Sequence, residues 1–246
     1  MKILYLGYTD CKLLHFLSRD NDVVVFNDKI TLDYCQSSNF EIIISYGYRY
    51  IIPKIIIDYF KNKIINLHTS YLPFNRGAMP NIWSIIDNTK KGVSIHYIDE
   101  GVDTGEILYQ QEVEIQDHET LQESYDKLNN IIQELFIKNW EDIKSFNVKS
   151  YKQQGVGTTH YYKKTLSLLK LLNIDWSSTV SELKQKTDEQ IINEIQDIRA
   201  KNNQHWMDVV KLAFEKSPKE ARIIFKKIKF CDEQINSLLK ELSDND

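Results

Sequence analysis

Glycine and proline are scarce in this chain, eight and four in 246 residues, and cysteine is scarcer still at three. Cys11, Cys35 and Cys231 are odd in number and far apart, which fits neither a disulfide framework nor a zinc-ligand spacing. They read as buried thiols of a protein kept in a reducing compartment. No apolar run approaches the roughly 20 residues that cross a bilayer. The opening Met1-Lys2-Ile3-Leu4-Tyr5-Leu6-Gly7 is too short an apolar run for a secretion signal, with no cleavage site after it. The expectation is a cytoplasmic protein that avoids membranes. Positive charge is not in excess either: the formal net charge is -4, which gives no general affinity for nucleic acid. A phosphate-cradling loop is also missing. Gly7-Tyr8-Thr9-Asp10-Cys11 offers one glycine where a dinucleotide fingerprint needs three, and no Walker A sequence occurs. Dinucleotide cofactors and ATP cleavage are set aside, and no metal is expected.

What is present in the first half is a series of short β-branched runs. Ile3–Leu6, Val23–Phe26, Glu41–Ser45 and Ile64–Asn66 are bounded by polar residues, as buried parallel strands are. Lys12–Leu17, Pro53–Phe60 and Trp83–Asp87 read as helices between them, so the fold class is α/β, a Rossmann-like, mostly parallel sheet. Val93–Ile98 and Ile107–Ile115 read as two further strands around a turn at Gly101–Gly105. Thr120-Leu121-Gln122-Glu123 is a capping box, and the apolar spacing after it predicts a helix to about Phe146. Beyond Gly155 the sequence turns polar and helix-rich, with helix starts expected at Thr187-Asp188-Glu189-Gln190 and Ser217-Pro218-Lys219-Glu220. A catalytic domain over 1–150 and a helix-rich C-terminal region over 151–246 follow, with Asp244-Asn245-Asp246 frayed.

Two segments carry chemistry. In Asn66-Leu67-His68 an amide and an imidazole stand two residues apart where an apolar run ends, so both face one side of an extended chain. Gly101-Val102-Asp103-Thr104-Gly105 delivers a carboxylate on a glycine-flanked turn. An amide to hold an oxyanion, an imidazole to move a proton and a carboxylate to orient it make an acyl-transfer set. His96, on a strand near Asp103, reads as a core or supporting residue. Thr69 and Ser70 read as loop-fixing hydrogen-bonders, since no nucleophile elbow accompanies them.

Asn66-x-His68-x-Ser70-x-Leu72-Pro73, the pair Arg76-Gly77, then Val102-Asp103-x-Gly105 resembles the folate-dependent formyltransferases over roughly Met1 to Ile115. Arg76-Gly77-Ala78-Met79-Pro80-Asn81-Ile82-Trp83 is most similar to the branch that formylates amino sugars carried on nucleotides. The resemblance implies a formyltransferase core with a helical C-terminal extension, 10-formyltetrahydrofolate as co-substrate, and Asn66, His68 and Asp103 as catalytic residues. It implies a folate site around Tyr50, Ile51 and Ile52 with Ile98, Asp99, Gly101 and Val102. Arg76, Asn81 and Trp83 are the implied contacts to the acceptor. Gly155-Val156-Gly157-Thr158-Thr159-His160-Tyr161-Tyr162 resembles a segment near the nucleotide or the dimer interface of that branch. The implied acceptor is a nucleotide-linked amino sugar, foremost dTDP-4-amino-4,6-dideoxyglucose, for a cell-surface polysaccharide such as an O-antigen. The competing readings are a methionyl-tRNA or glycinamide ribonucleotide formyltransferase, and a non-catalytic scaffold that binds a partner through its tail. Ile191, Ile195 and Ile198, with Leu238, Leu239 and Leu242, give the tail apolar faces that fit homodimerisation.

Overall fold

The computed structural model describes residues 1–243, with the side chains of 186, 188–191, 194, 195, 237, 238 and 241–243 outside the description. In chain order the elements are β1 (Lys2–Gly7), α1 (Lys12–Asp20), β2 (Asp22–Val25), α2 (Leu32–Ser38), β3 (Ile42–Tyr46), α3 (Lys54–Phe60), β4 (Ile64–His68), β5 (Arg76–Gly77), α4 (Pro80–Ile86), β6 (Gly92–Tyr97) and β7 (Ile107–Glu112). There follow α5 (Leu121–Lys138), α6 (Trp140–Lys144), β8 (Thr159–His160), α7 (Tyr162–Leu172), α8 (Val180–Lys216) and α9 (Pro218–Ser243).

Runs of Ile, Leu and Val in β1, β3 and β4 are buried on both faces, because each strand feeds two cores at once. Ile3, Tyr5, Ile42, Ile44, Ile65 and Leu67 point into one core with Leu13 and Leu17 of α1 and Leu128, Ile132 and Phe136 of α5. The alternate residues Leu4, Leu6, Ile43 and Ile64 point into the other, with Cys35 of α2 and Ile56 and Phe60 of α3. This is the expected α/β sandwich, in the strand order β2-β1-β3-β4-β6-β7. β2, β1, β3 and β4 are mutually parallel, whereas β6 runs antiparallel to both β4 and β7. β5 and β8 form a small parallel pair of their own.

Several boundaries differ from the sequence expectation. The helix predicted to reach Phe146 breaks at Asn139, whose side chain donates back to the Leu135 carbonyl, and α6 restarts with Trp140 and Ile143 turned into the core. The expected start at Thr187 is the interior of α8. Thr179 and Glu182 close a Thr-x-x-Glu box one turn past Asp175, ahead of the Thr187-x-x-Gln190 pattern, while the Thr187 hydroxyl bonds the Leu183 carbonyl inside the helix. The earlier box wins because its first turn buries Val180 and Leu183 beside Leu121, Ile82 and Leu169. The start at Pro218 is where the sequence places it. Of the thiols, only Cys35 is buried; Cys11 is half-buried, and Cys231, in α9, is exposed.

The chain divides into two compact units, Met1–Thr187 and Asp188–Asp246. The division lies beyond the boundary expected near 150, for a visible reason. Residues 151–187 are stitched to the first unit by Tyr151 against Ile107, by β8 against β5, and by Val180 N–H to the Glu119 carbonyl. Among the described residues no helix is long and apolar enough to cross a membrane. Of the expected tail stripe, Ile198 and Leu239 are exposed. The side chains of Ile191, Ile195, Leu238 and Leu242 fall outside the described residues, as does the segment 244–246.

Candidate active site

β4 sets the site. Leu67 points into one core while Asn66 and His68 emerge together on the opposite face, the period-two consequence of an extended strand. The antiparallel neighbour β6 places His96 opposite Asn66 and Ser94 opposite His68. The loop from Ile98 to Glu106 then folds back over the strand ends and lowers Asp103 onto this row. Gly105 allows the return, because a Cβ there would collide with the Tyr97 carbonyl.

Asp103 adopts a left-handed backbone, φ 52°, a conformation in which Asp is among the few tolerated residues. Every oxygen of its carboxylate is engaged. Asn66 Nδ2 donates to Oδ1 at 3.1 Å, and the Gly77 amide donates to Oδ2 at 2.8 Å. His96 Nε2 stands 3.4 Å from Oδ1 and His68 Nδ1 3.6 Å from Oδ2. Burial alone would raise the Asp103 pKa. The neighbouring imidazoles, foremost His68, and the Gly77 N–H overcome it and hold the carboxyl well below the usual carboxylate range. Burial pushes the His68 imidazole below its ordinary value, against the pull of Asp103, so the ring is neutral near pH 7.

Hydrogen bonds fix the tautomers. His68 Nε2 lies 3.0 Å from the Asn75 carbonyl, which can only accept, so Nε2 carries the hydrogen and Nδ1 presents its lone pair to Asp103. His96 Nδ1 donates to its neighbour's carbonyl at Tyr97, leaving Nε2 to accept from Asn66 Nδ2 at 3.2 Å. Both hydrogens of the Asn66 amide are therefore committed, one to His96 and one to Asp103. The expected oxyanion contact requires one of them to be released when substrate arrives.

Two residues not singled out in the sequence complete this arrangement. Asn75 is fully buried at φ 56°, bonded through its side chain to Asp87 and Thr89, and its carbonyl is the one that orients His68. Gln153 donates to the carbonyls of both Asp103 and Gly105, at 2.8 and 2.9 Å, while its own oxygen accepts two bonds from the Arg76 guanidinium. Asn tolerates a left-handed backbone better than most residues, and Asn75 lies in the loop between Pro73 and Gly77 with Phe74 and Arg76 beside it, so it had a weak signal. Gln153 had none beyond its place before Gly155. Ser70 bonds the Phe74 carbonyl and so fixes the loop after β4.

The remaining expected residues lie as follows. Ile51 is 84% exposed and Val102 is exposed, apolar side chains standing open on the two loops beside the site, whereas Ile52 turns into the core. Tyr50 is half-buried, its ring edge-on to Tyr48. Asp99 is used within its own turn, accepting from Gly101 N–H and the Thr104 hydroxyl. Ile98 is half-buried against the α2–α3 core, and its N–H bonds the Ile64 carbonyl. Arg76 is held by Gln153 with the rest of its guanidinium beside Gly157. Asn81 is completely buried, and neither polar atom of its side chain has a partner. Trp83 corrects the expectation of an acceptor contact. It is 5% exposed, stacked on His160 at 3.8 Å, and donates from Nε1 to Thr165, so it packs the loop from below instead of facing an acceptor. His160 in turn bonds Asp87, which makes the expected Gly155–Tyr162 segment a wall braced against α4.

The family described as formyl transferase matches residues 24–139, a span that holds Asn66, His68, His96 and Asp103. The crystal structure of the formyltransferase PseJ from Anoxybacillus kamchatkensis, in complex with UDP-4,6-dideoxy-4-formamido-L-AltNAc and tetrahydrofolate, is 41% identical. It superposes with a TM-score of 0.71 over 76% of this chain and 100% of PseJ. A 4-N formyltransferase from Francisella tularensis shares the fold at 23% identity and a TM-score of 0.60, over 76% of this chain and 85% of that one. The methionyl-tRNA formyltransferase of Fusobacterium nucleatum is 35% identical over 164 residues, 64% of this chain and 50% of its own length. The chain thus spans about half the length of the curated relatives it matches.

Proposed function

The chain belongs to the formyl transferase family, and we propose that it moves a formyl group from 10-formyltetrahydrofolate to the amino group of a nucleotide-linked 4-amino-4,6-dideoxy sugar. The observation that carries the substrate class is the likeness to PseJ, 41% identical along the whole of that enzyme. It favours a UDP-linked acceptor of that kind over the dTDP-4-amino-4,6-dideoxyglucose expected from the sequence. The product would feed a cell-surface polysaccharide. The methionyl-tRNA reading draws on the curated relatives, but those matches leave half of each relative unaccounted for.

The folate supplies the formyl carbon. The acceptor amine adds to it first, giving a tetrahedral intermediate, and the bond to the folate nitrogen then breaks as that nitrogen receives the proton the amine gave up. The exposed Ile51 and Val102 suit the apolar flanks of a flat heterocycle, with loop backbone amides and carbonyls for its polar edges. Asn66 faces the position where the tetrahedral oxyanion develops, and shifting one of its N–H bonds from His96 to that oxygen stabilises it by a few kcal/mol. The attacking amine must lose a proton. His68 Nδ1 is the one unprotonated nitrogen of its ring and faces an anionic Asp103, so a proton taken there sits between them as a buried ion pair. Asn75 keeps that nitrogen free by occupying the other. Arg76, already braced by Gln153, keeps donors for an acceptor phosphate.

The test is an assay of the purified protein with 10-formyltetrahydrofolate and UDP- and dTDP-linked 4-amino sugars, followed by mass. Gain of one formyl unit on a nucleotide sugar, abolished by His68→Ala, is the expected result. Turnover confined to glycinamide ribonucleotide or methionyl-tRNA would reject the sugar reading. Silence on every acceptor would reject catalysis and favour the scaffold.

A further inference from the structure

α9 carries an apolar pattern of its own. From Ala221 the apolar or small positions fall at Ile224, Ile228, Cys231, Ile235, Leu238 and Leu242, alternating steps of three and four. Such a sequence is the signature of a straight seam between helices, not of a helix lying on a globular core. Ile224, Ile228 and Ile235 are 57%, 45% and 54% exposed, and Cys231 is exposed. α8 has exposed apolar residues too, but polar Asn202 and His205 interrupt any comparable run there. The PseJ match covers 76% of the chain and the whole of PseJ, so about a quarter of the chain lies outside it.

We propose that this seam is a homodimer interface, in which α9 pairs with α9 of a second copy in a parallel, in-register coiled coil. The occupant is a second copy because the flanking charges complement themselves. With Ile228 and Ile235 at a positions and Cys231 at d, Lys227 is a g position and Asp232 the following e position, both exposed. In a parallel pair these two meet across the seam with opposite sign, twice by symmetry. An antiparallel pairing of the same seam sets Lys227 against Gln234 and Asp232 against Phe225, which offers no charge pair. The Lys229–Glu233 ion pair, 3.6 Å, stays on the face away from Ile224, Ile228, Cys231 and Ile235, which are exposed, while Ala221 is buried. Parallel register also places Cys231 opposite its own copy, since d layers pair identical residues across the two-fold.

The experiment uses the full chain. Light scattering is expected to give twice the 29.1 kDa chain mass, reverting to one chain in Ile228→Asp and staying doubled in Ile228→Leu. Diamide, which takes two electrons and two protons from a pair of thiols, is expected to join two chains through Cys231. Cys231→Ser abolishes the cross-link, and Glu233→Cys in that background, on the outer face, does not restore it. Because Ile228→Asp could unfold the helix, the charge pair supplies an independent reading. Lys227→Asp and Asp232→Lys each weaken dimerisation roughly two- to threefold, and the double reversal restores it. A single-chain mass, a dimer whose cross-link ignores Cys231, or charge reversals that fail to compensate would each overturn the proposal.

Discussion

His68 cannot be read apart from Asn75. A neutral imidazole has one N–H, and the Asn75 carbonyl takes it, so the nitrogen that faces Asp103 is a base by construction. That geometry fixes a pH dependence. His68 has a folded-state pKa below its ordinary 6.5, so the unfolded chain binds the proton more readily. Its contribution to stability is complete above pH 6.5 and is lost as pH falls from there through the lowered folded value. The Asp103 carboxyl, depressed from 3.8, gives a second stage that is complete above about 4 and is lost below it. The urea midpoint is therefore expected to decline already as pH falls below 6.5, and His68→Gln should flatten that first limb while leaving the second. A first limb unchanged in His68→Gln would place the titrating group elsewhere. Gln153 acts at one remove, through the carbonyls that hold the Asp103 turn in its left-handed conformation. Gln153→Ala should leave the fold intact and reduce kcat roughly ten- to a hundredfold by letting the carboxylate shift. Its signature is loss in kcat with Asp103 still ionised, so the acid limb of the rate profile keeps its position. Unaltered kinetics would reduce Gln153 to a loop contact.

At the scale of elements, the sheet was legible because its chemistry is local. β-branched runs bounded by polar residues need no tertiary information to be recognised as buried strands, and Asn66 and His68 share a face for the same reason. The direction of β6 was not legible, because an antiparallel return and a crossover read alike until the loop that joins them is placed. Asn75 and Gln153 escaped for a related reason. Asn75 acts on His68 through its own backbone carbonyl, and Gln153 through the carbonyls of Asp103 and Gly105 far back along the chain, and neither side chain announces that. Trp83 shows the opposite error, an aromatic in a motif taken for a ligand contact while α4 had turned it onto His160 and Thr165. Trp83→Phe keeps most of the ring area and removes the indole N–H. It should lower stability by about 1–2 kcal/mol through the lost bond to a buried hydroxyl, with KM for the acceptor unchanged. Urea unfolding and steady-state kinetics on the same variant decide it: a raised KM at full stability would return Trp83 to the substrate wall.

For the whole molecule, the question is whether catalysis depends on the helical addition. The residues that orient Asn66, His68 and Asp103 come from β4, β6, the Ile98–Glu106 loop, Asn75, Gly77 and Gln153, all within Met1–Thr187. The first turn of α8 is the last piece that this unit needs, because Val180 and Leu183 fill the core beside Leu121, Ile82 and Leu169. Its start is pinned by the Thr179–Glu182 box and by bonds from Val180 and Ser181 to the carbonyls of Glu119 and Asp117. A chain ended at Thr187 should therefore fold with a single cooperative transition and keep its kcat on the acceptor, while its mass in solution falls to one copy. Preserved rate with a single-chain mass would separate chemistry from assembly and leave unit 2 as a self-association device. Loss of the rate in a folded, truncated chain would mean that the second copy supplies part of the acceptor site. That outcome would be traced by mixing full-length His68→Ala with full-length Arg76→Ala, which keep α9 and so still pair, and asking whether turnover returns.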